Sequence, residues 1–115
     1  MNPYDKAHEL ARALTGSQEY QLLQRLKARV DADASARKVL DDFRRRQWEL
    51  ETRRLMGEEI TGDDIERVTA LQEALSLHAT AREYLEAEYR FGLIYSDIHK
   101  IIGEAVSEVI AQPER

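Results

Sequence analysis

Five arginines in one stretch of the chain come closest, by residue type and spacing, to a binding chemistry. Trp48 stands among them, and an aromatic ring can stack on a base while guanidinium groups hold the phosphate backbone. An RNA-contacting strip on one helix is therefore one interpretation. The arginines concerned are Arg44, Arg45, Arg46, Arg53 and Arg54.

A solvated helix surface explains the same arginines. Consecutive helical residues point about 100° apart, so residues 44–46 cannot form one strip. Asp41, Asp42 and Glu49 each stand four residues before an arginine, the order that favours an ion pair within a helix. The chain has 17 Lys and Arg against 22 Asp and Glu, a net charge of −5, which argues against general nucleic-acid binding. RNA contact is therefore kept as the alternative function.

Metal and catalytic chemistry find little support in the residue types present. The chain has no Cys, which excludes thiolate ligands and a cysteine nucleophile. His8, His78 and His99 do not form the spacings that place two ligands on one helical face. Glycine-rich phosphate loops and serine nucleophile elbows are also missing from the sequence. We predict no catalytic residue, no metal site and no cofactor.

Aromatic and aliphatic side chains offer a different chemistry, the anchoring of a protein partner. Near the C-terminus such residues recur in alternating steps of three and four, the heptad spacing of helices that pair. Trp48 lies off the apolar face of its own helix, which makes it a candidate contact residue. The predicted oligomer or partner interface comprises Trp48, Tyr84, Phe91, Ile94, Tyr95, Ile98 and Ile101.

The elements that position these residues are predicted to be helices throughout. Pro3 and Pro113 are the only prolines, and no other residue breaks helices as strongly between them. Gly16, Gly57 and a capping box that begins at Thr61 mark ends and starts. The predicted helices span residues 3–14, 18–30, 35–56, about 61–78, and from a break near 78–80 to about 111.

The first and last helices carry apolar stripes that call for partners. In the first, residues at helical spacing mark a face that we expect to be buried: Tyr4, Ala7, Leu10, Ala11 and Leu14. About 30 residues of final helix extend roughly 45 Å, more than the roughly 35 Å diameter of a compact domain this size. The final helix would overhang its own monomer, so we predict a homodimer.

Together these features predict an all-α protein, a single domain over residues 1–115. The expected architecture is a bundle of four to five amphipathic helices with a long C-terminal helix. The N-terminal residues lack the apolar segment of a signal peptide, and the apolar runs are too short to span a membrane. With the absence of Cys, this predicts a cytoplasmic location without membrane contact.

Four segments resemble the YheA, YlbF and YmcA family of small helical bacterial proteins, and its YheA branch in particular. They are PYDKAHELARALTGSQEY, ASARKVLDDFRRRQ, MGEEITGDDI and YLEAEYRFGLIYSDIHKIIGEAV, and together they cover nearly the whole chain in order. The combination is specific, although each segment alone is merely typical of helices.

The resemblance implies an all-helical, homo-oligomeric and cytosolic bacterial protein. YlbF and YmcA take part in a complex that modulates RNA processing and programmes such as competence, sporulation and biofilm formation. An adaptor or regulatory subunit with a protein partner is the function implied here. Complexes of that type are associated with iron–sulfur clusters held by cysteine, and without Cys this feature is not carried over.

Overall fold

The computed structural model describes residues 2–110, and within them the chain forms five α-helices. They are α1 (Pro3–Thr15), α2 (Gln18–Asp31), α3 (Ala34–Leu55), α4 (Gly62–Leu77) and α5 (Ala79–Ala105). The all-α prediction is confirmed, and the predicted helix starts hold to within a residue or so.

Short polar side chains begin the first three helices. Asn2, Ser17 and Asp33 have extended backbones, and the side chain of each accepts a hydrogen bond from a first-turn amide. Those hydrogen bonds measure 2.8, 3.2 and 3.1 Å. Since the first amides of a helix have no intrahelical acceptor, each cap satisfies one of them and fixes where its helix starts.

The turn between α3 and α4 is set by Gly57 and the capping box. Gly57 has φ +81°, a left-handed conformation that glycine adopts without strain. The next amide, that of Glu58, donates to the carbonyl of Arg53 at 2.9 Å, which closes a Schellman turn. Thr61 and Asp64 then exchange hydrogen bonds between side chain and backbone at the start of α4, as predicted.

His78 forms the break between α4 and α5 that the sequence predicted. Its extended backbone ends α4, and its Nδ1 accepts from the amide of Ala81 at 3.4 Å at the start of α5. Its Nε2 lies 3.0 Å from the hydroxyl of Ser35, at the start of α3. One imidazole therefore ties three helix ends together.

The core lies where α2, α3, α4 and α5 meet. α5 packs most extensively on α2, and the two run antiparallel, because Tyr20 meets Phe91 at a ring distance of 5.3 Å while Arg29 reaches Glu83. The buried side chains are small or medium in size: Leu26, Val30, Ala36, Leu40, Leu75, Ala81, Tyr84 and Ala87.

Two expectations about the ends of the chain were wrong. α1 buries none of its residues within the chain, although its apolar stripe predicted a buried face. α5 ends at Ala105 rather than near residue 111, which lies outside the described residues. α2 begins opposite Phe91 and so does not pack on the last turns of α5, where Gly103 and the β-branched Val106 propagate a helix poorly on their own.

The molecule is long and thin. Its Cα atoms extend over 54 × 38 × 15 Å with a radius of gyration of 18.2 Å, whereas a compact chain of this length would have about 13 Å. Helices pack about 8–10 Å apart, so a thickness of 15 Å admits two layers. Much apolar surface is therefore left uncovered.

Candidate interaction surfaces

The first candidate surface is the C-terminal half of α5, residues 92–105, which we call the α5 extension. Antiparallel α2 begins opposite Phe91, so it does not reach along these residues. Leu93, Ile101 and Ile102 are exposed, with 67% of Ile101 accessible. Large aliphatic side chains open to solvent on one helical segment mark an interaction surface rather than a solvated helix.

The predicted interface residues divide along the length of α5. Ile94 and Ile98 are half-buried, whereas Tyr95 is exposed. Its ring stands edge-on to that of His99, with 4.5 Å between the ring centroids. Phe91 is half-buried against α2. Tyr84, which the sequence grouped with them, belongs to the chain's own core and therefore cannot serve as an exposed contact.

A second surface is the apolar face of α1. Tyr4 is 78% exposed, and Ala7 and Ala11 on the same face are exposed as well. Leu10 and Leu14 are half-buried, since α1 approaches only the start of α2. The face that periodicity assigned to a core is therefore presented to solvent.

The third surface, which we call the α3 patch, consists of Trp48, Leu55 and Met56. Trp48 is 70% exposed and Leu55 is 80% exposed. Seven residues separate them, which is two helical turns, so both side chains project from the same side of α3. Sequence reasoning chose Trp48 but missed its two neighbours, although the seven-residue spacing was available as a signal.

A separate groove of about 470 Å³ lies between α3 and α5. Phe43, Leu85, Tyr89 and Leu93 form its apolar walls, and Glu88 lies at its edge. The groove is open and shallow, a shape that suits the side chains of a partner helix better than an enclosed small molecule.

The arginine cluster is divided among separate contacts. The side chain of Arg44 extends from α3 to Glu88 on α5, with nitrogen–oxygen distances of 2.8 and 2.9 Å. Its guanidinium lies over the ring of Tyr84. Arg46 pairs with Glu49 at 3.3 Å, and Arg54 pairs with a neighbouring acid of α3. These guanidinium groups therefore point to different partners.

Two of the predicted pairs along α3 are formed with other partners. Asp42 contacts Lys38 rather than Arg46, and Glu49 contacts Arg46 rather than Arg53. Arg53 is drawn to α4 instead, because the buried carboxylate of Asp64 offers it a better-shielded partner.

Arg53 and Asp64 form the most strongly interacting charged pair at the junction of α3 and α4. The guanidinium donates to Asp64 Oδ1 at 2.9 Å and also to Glu58 and the Glu59 carbonyl. The other oxygen of Asp64 accepts from the Thr61 amide and hydroxyl. The hydrogen bond from Arg53, and then that from the Thr61 amide, hold the pKa of Asp64 well below its usual range. This geometry clamps the turn and commits the carboxylate of Asp64 to structural contacts.

The described part of the chain contains no cluster of three or more side chains able to hold a metal ion. His78 caps α5, and His99 lies against Tyr95. Over residues 2–110, no helix combines the length and the apolar character that crossing a membrane requires.

Comparison with known proteins finds relatives over nearly the whole chain. A family model described as "Control of competence regulator ComK, YlbF/YmcA" matches residues 4–107. A UPF0342 protein of Symbiobacterium thermophilum is 43% identical over 90% of this chain and 92% of its own length. One of Alkalihalophilus pseudofirmus is 36% identical over 98% of this chain and 96% of its own length.

A solved structure has the same fold. It is a protein of unknown function (DUF964) from Bacillus stearothermophilus, with a TM-score of 0.78 over 92% of this chain and 93% of that one. Its sequence identity is 20%, so the likeness concerns the fold alone.

Proposed function

This chain belongs to the YlbF/YmcA family, and on that premise we propose that it is a non-enzymatic homodimeric interaction protein of the cytoplasm. In this proposal it serves as an adaptor or regulatory subunit in RNA processing or developmental control, the processes that its resemblance to YlbF and YmcA implies. In the dimer, the α5 extension of each copy is bound by the other copy. A different protein contacts the α3 patch.

The observation that carries the proposal is the amount of surface that one copy exposes. The chain exposes 9038 Å², whereas a monomeric protein of its mass ordinarily exposes about 6,500 Å². The excess, about 2,500 Å², compares with the roughly 1,000–2,500 Å² that each subunit of an obligate homodimer buries. Isolated exposed leucines would need no explanation, but an excess of this size calls for a partner.

The self-association is tested by sedimentation velocity on the unmodified chain and on Ile101→Glu. A carboxylate on the α5 extension would have to be buried without a partner, so we expect the dissociation constant of the dimer to rise roughly a hundredfold or more. Ser96→Glu is the matched control, because position 96 lies on the opposite side of the same helix. An unmodified chain that sediments as a monomer at micromolar concentration would contradict the proposal.

The adaptor role is tested by affinity capture from the native host, comparing the unmodified chain with Trp48→Ala. We expect the unmodified chain to recover RNA-processing proteins reproducibly, and the variant to lose them while remaining a dimer. Exposed Trp48 contributes little to the core, so loss of capture would report on the α3 patch rather than on folding. Equal recovery by both chains would place the partner elsewhere.

An RNA-associated role is the alternative, and one observation favours it. Arg45 is exposed and stands three residues before Trp48, so a guanidinium and a ring that could stack on a base share one side of α3. Direct RNA binding that weakens steeply with salt and is lost in Arg45→Ala, but not in Arg54→Ala, would support this role over the adaptor.

A further inference from the structure

The apolar face of α1 and the α5 extension complement each other. From this we infer that the copies of the dimer exchange their N-terminal helices. α1 of each copy lies along the α5 extension of the other. The inference rests on the proposed homodimer and names the segment that occupies the α5 extension.

The first step concerns what α1 lacks within its own chain. α1 is capped and amphipathic, yet it buries no residue and approaches no helix other than α2. A helix of 13 residues is only marginally stable by itself, so an amphipathic one normally depends on packing along its apolar face. That packing must come from outside the copy that carries it.

The second step concerns length and spacing. α1 has 13 residues and the α5 extension 14, which correspond to about 20 and 21 Å of helix. Along α1 the apolar seam advances in steps of three, four and three residues, and along the extension in steps of four, three and four. Both are the seam of a helix pair with knobs-into-holes packing. The seam of α1 consists of Tyr4, Ala7, Ala11 and Leu14. The seam of the α5 extension consists of Ile94, Ile98, Ile101 and Ala105.

Side-chain size makes the match more specific. The middle of the α1 seam is small, with Ala7 and Ala11, and the middle of the other seam is large, with Ile98 and Ile101. Whether the helices run parallel or antiparallel, the alanines face the isoleucines. Large residues opposite small ones interdigitate, which allows close approach of the two helices. Pairing of two α5 extensions would instead place isoleucines against isoleucines.

The third step explains why the partner is a second copy. α1 and α2 are joined only through Gly16 and Ser17, whose hydrogen bonds fix the direction of α1. The Gly16 amide donates to the backbone carbonyl of Arg12 at 2.9 Å, and the Ser17 hydroxyl donates to that of Leu14 at 2.7 Å. α1 therefore projects without approaching its own α5. A two-fold axis repeats the α1 contact in both directions, which covers all four incompletely buried seams of the dimer at once.

The test uses the absence of cysteine, which lets each variant carry a single thiol. Chains with Ala11→Cys and chains with Ile98→Cys or Ile101→Cys, distinguished by tags of different size, are mixed, allowed to exchange, and oxidised. We expect disulfide-linked heterodimers with one of the two α5 positions, about tenfold or more above a control mixture with Ser96→Cys, because a disulfide needs Cα atoms within about 7 Å. Both Ala11 and Ser96 are exposed, so the comparison does not depend on a buried substitution.

Other results would overturn the inference in distinguishable ways. A double variant with thiols at 11 and 98 that closes within one chain would show that α1 folds onto its own α5. Strong linkage of Ile98→Cys or Ile101→Cys chains to themselves, without linkage to position 11, would show α5–α5 pairing and leave the homodimer intact. A monomeric unmodified chain in sedimentation would remove the proposed function together with the exchange.

A second measurement does not depend on disulfide formation. Ala11→Glu places a carboxylate on an exposed position of α1, so α2 to α5 fold as before while the exchanged contact is lost. We expect the dissociation constant of the dimer to rise about tenfold or more, while the helix content by circular dichroism falls by no more than the 13 residues of α1. The control is Glu9→Gln on the opposite side of α1. An unchanged dissociation constant in Ala11→Glu would contradict the exchange.

Discussion

Arg53 shows how a single side chain can organise a turn at the residue scale. Its guanidinium reaches from the last turns of α3 to the first turn of α4 and to the Glu59 carbonyl between them. Asp64 faces it at 6% exposure and already belongs to the capping box. The carboxylate therefore serves two functions, because it caps α4 and neutralises a cation that α3 brings to it.

The lowered pKa of Asp64 predicts an acid-sensitive junction. Because its pKa is lower in the folded state than in the unfolded chain, its contribution is complete above about pH 5 and is lost as the pH falls through about 4 and below. We expect Asp64→Asn to be less stable at neutral pH and to lose stability less steeply between about pH 5 and pH 2, as measured by urea unfolding at each pH.

The matched control is Asp63→Asn, which removes a neighbouring carboxylate that is exposed and also lies in the first turn of α4. Both variants lose the same favourable interaction with the helix dipole, so the difference between them reports the contacts of Asp64 with Arg53 and Thr61. If both variants followed the same pH dependence, the contact would not account for the acid sensitivity.

Sequence distance decides which of these residue-level features could be predicted. The Thr61–Asp64 box was readable because its partners are three residues apart and its geometry follows from the helix start. The partners of Arg53 and Arg44 were not, because they lie 11 and 44 residues away and depend on how α3 packs against α4 and α5. Local pairing rules therefore assigned α3 arginines to acids that the fold gives to other residues.

At the element scale, replacing glycine by alanine is predicted to have opposite effects on stability at two positions. Gly57 occupies the left-handed position that ends α3, so Gly57→Ala should cost about 1 kcal/mol of stability. Gly92 lies inside α5 with no atom within 4 Å of where a Cβ would stand, so Gly92→Ala should gain about 0.5–1 kcal/mol. Denaturant unfolding of the two variants beside the unmodified chain measures both changes.

The two variants control each other, because they add the same methyl group to the same chain. A loss of stability in Gly92→Ala would mean that another backbone approaches α5 closely at that point in the assembled dimer. A neutral Gly57→Ala would mean that the turn rearranges without strain, contrary to its Schellman geometry.

The presence of each helix and most helix ends could be predicted from the sequence. What packs on the apolar face of each helix could not. Caps such as Asn2 and Ser17 act within one turn, so their positions in the sequence define the starts of α1 and α2. An apolar stripe states only that a face needs covering, and it leaves open which chain covers it. For this reason the sequence predicted a buried face on α1 that the single chain leaves exposed, and it extended α5 beyond Ala105, where packing ends.

At the scale of the whole molecule, the thin shape follows from the way small residues set the core. Ala36, Ala81 and Ala87 bring helices close together where they meet, but they bury little area. The fold is nonetheless shared with a chain at 20% identity, so most side chains can differ while the fold is kept. A copy with so small a core should depend on its partner for stability.

That dependence predicts thermal unfolding that varies with protein concentration. If unfolding of two exchanged copies releases two chains, each tenfold increase in concentration favours the dimer by about 1.4 kcal/mol. Unfolding entropies of about 2.1 cal/mol/K per residue, summed over two chains of 115 residues, convert this into a rise of about 3 °C in Tm per tenfold increase. Scanning calorimetry between micromolar and near-millimolar concentrations should resolve the slope. Ile101→Glu should flatten the slope and Ser96→Glu should preserve it, whereas a Tm independent of concentration in the unmodified chain would mean that one copy is stable alone despite its uncovered faces.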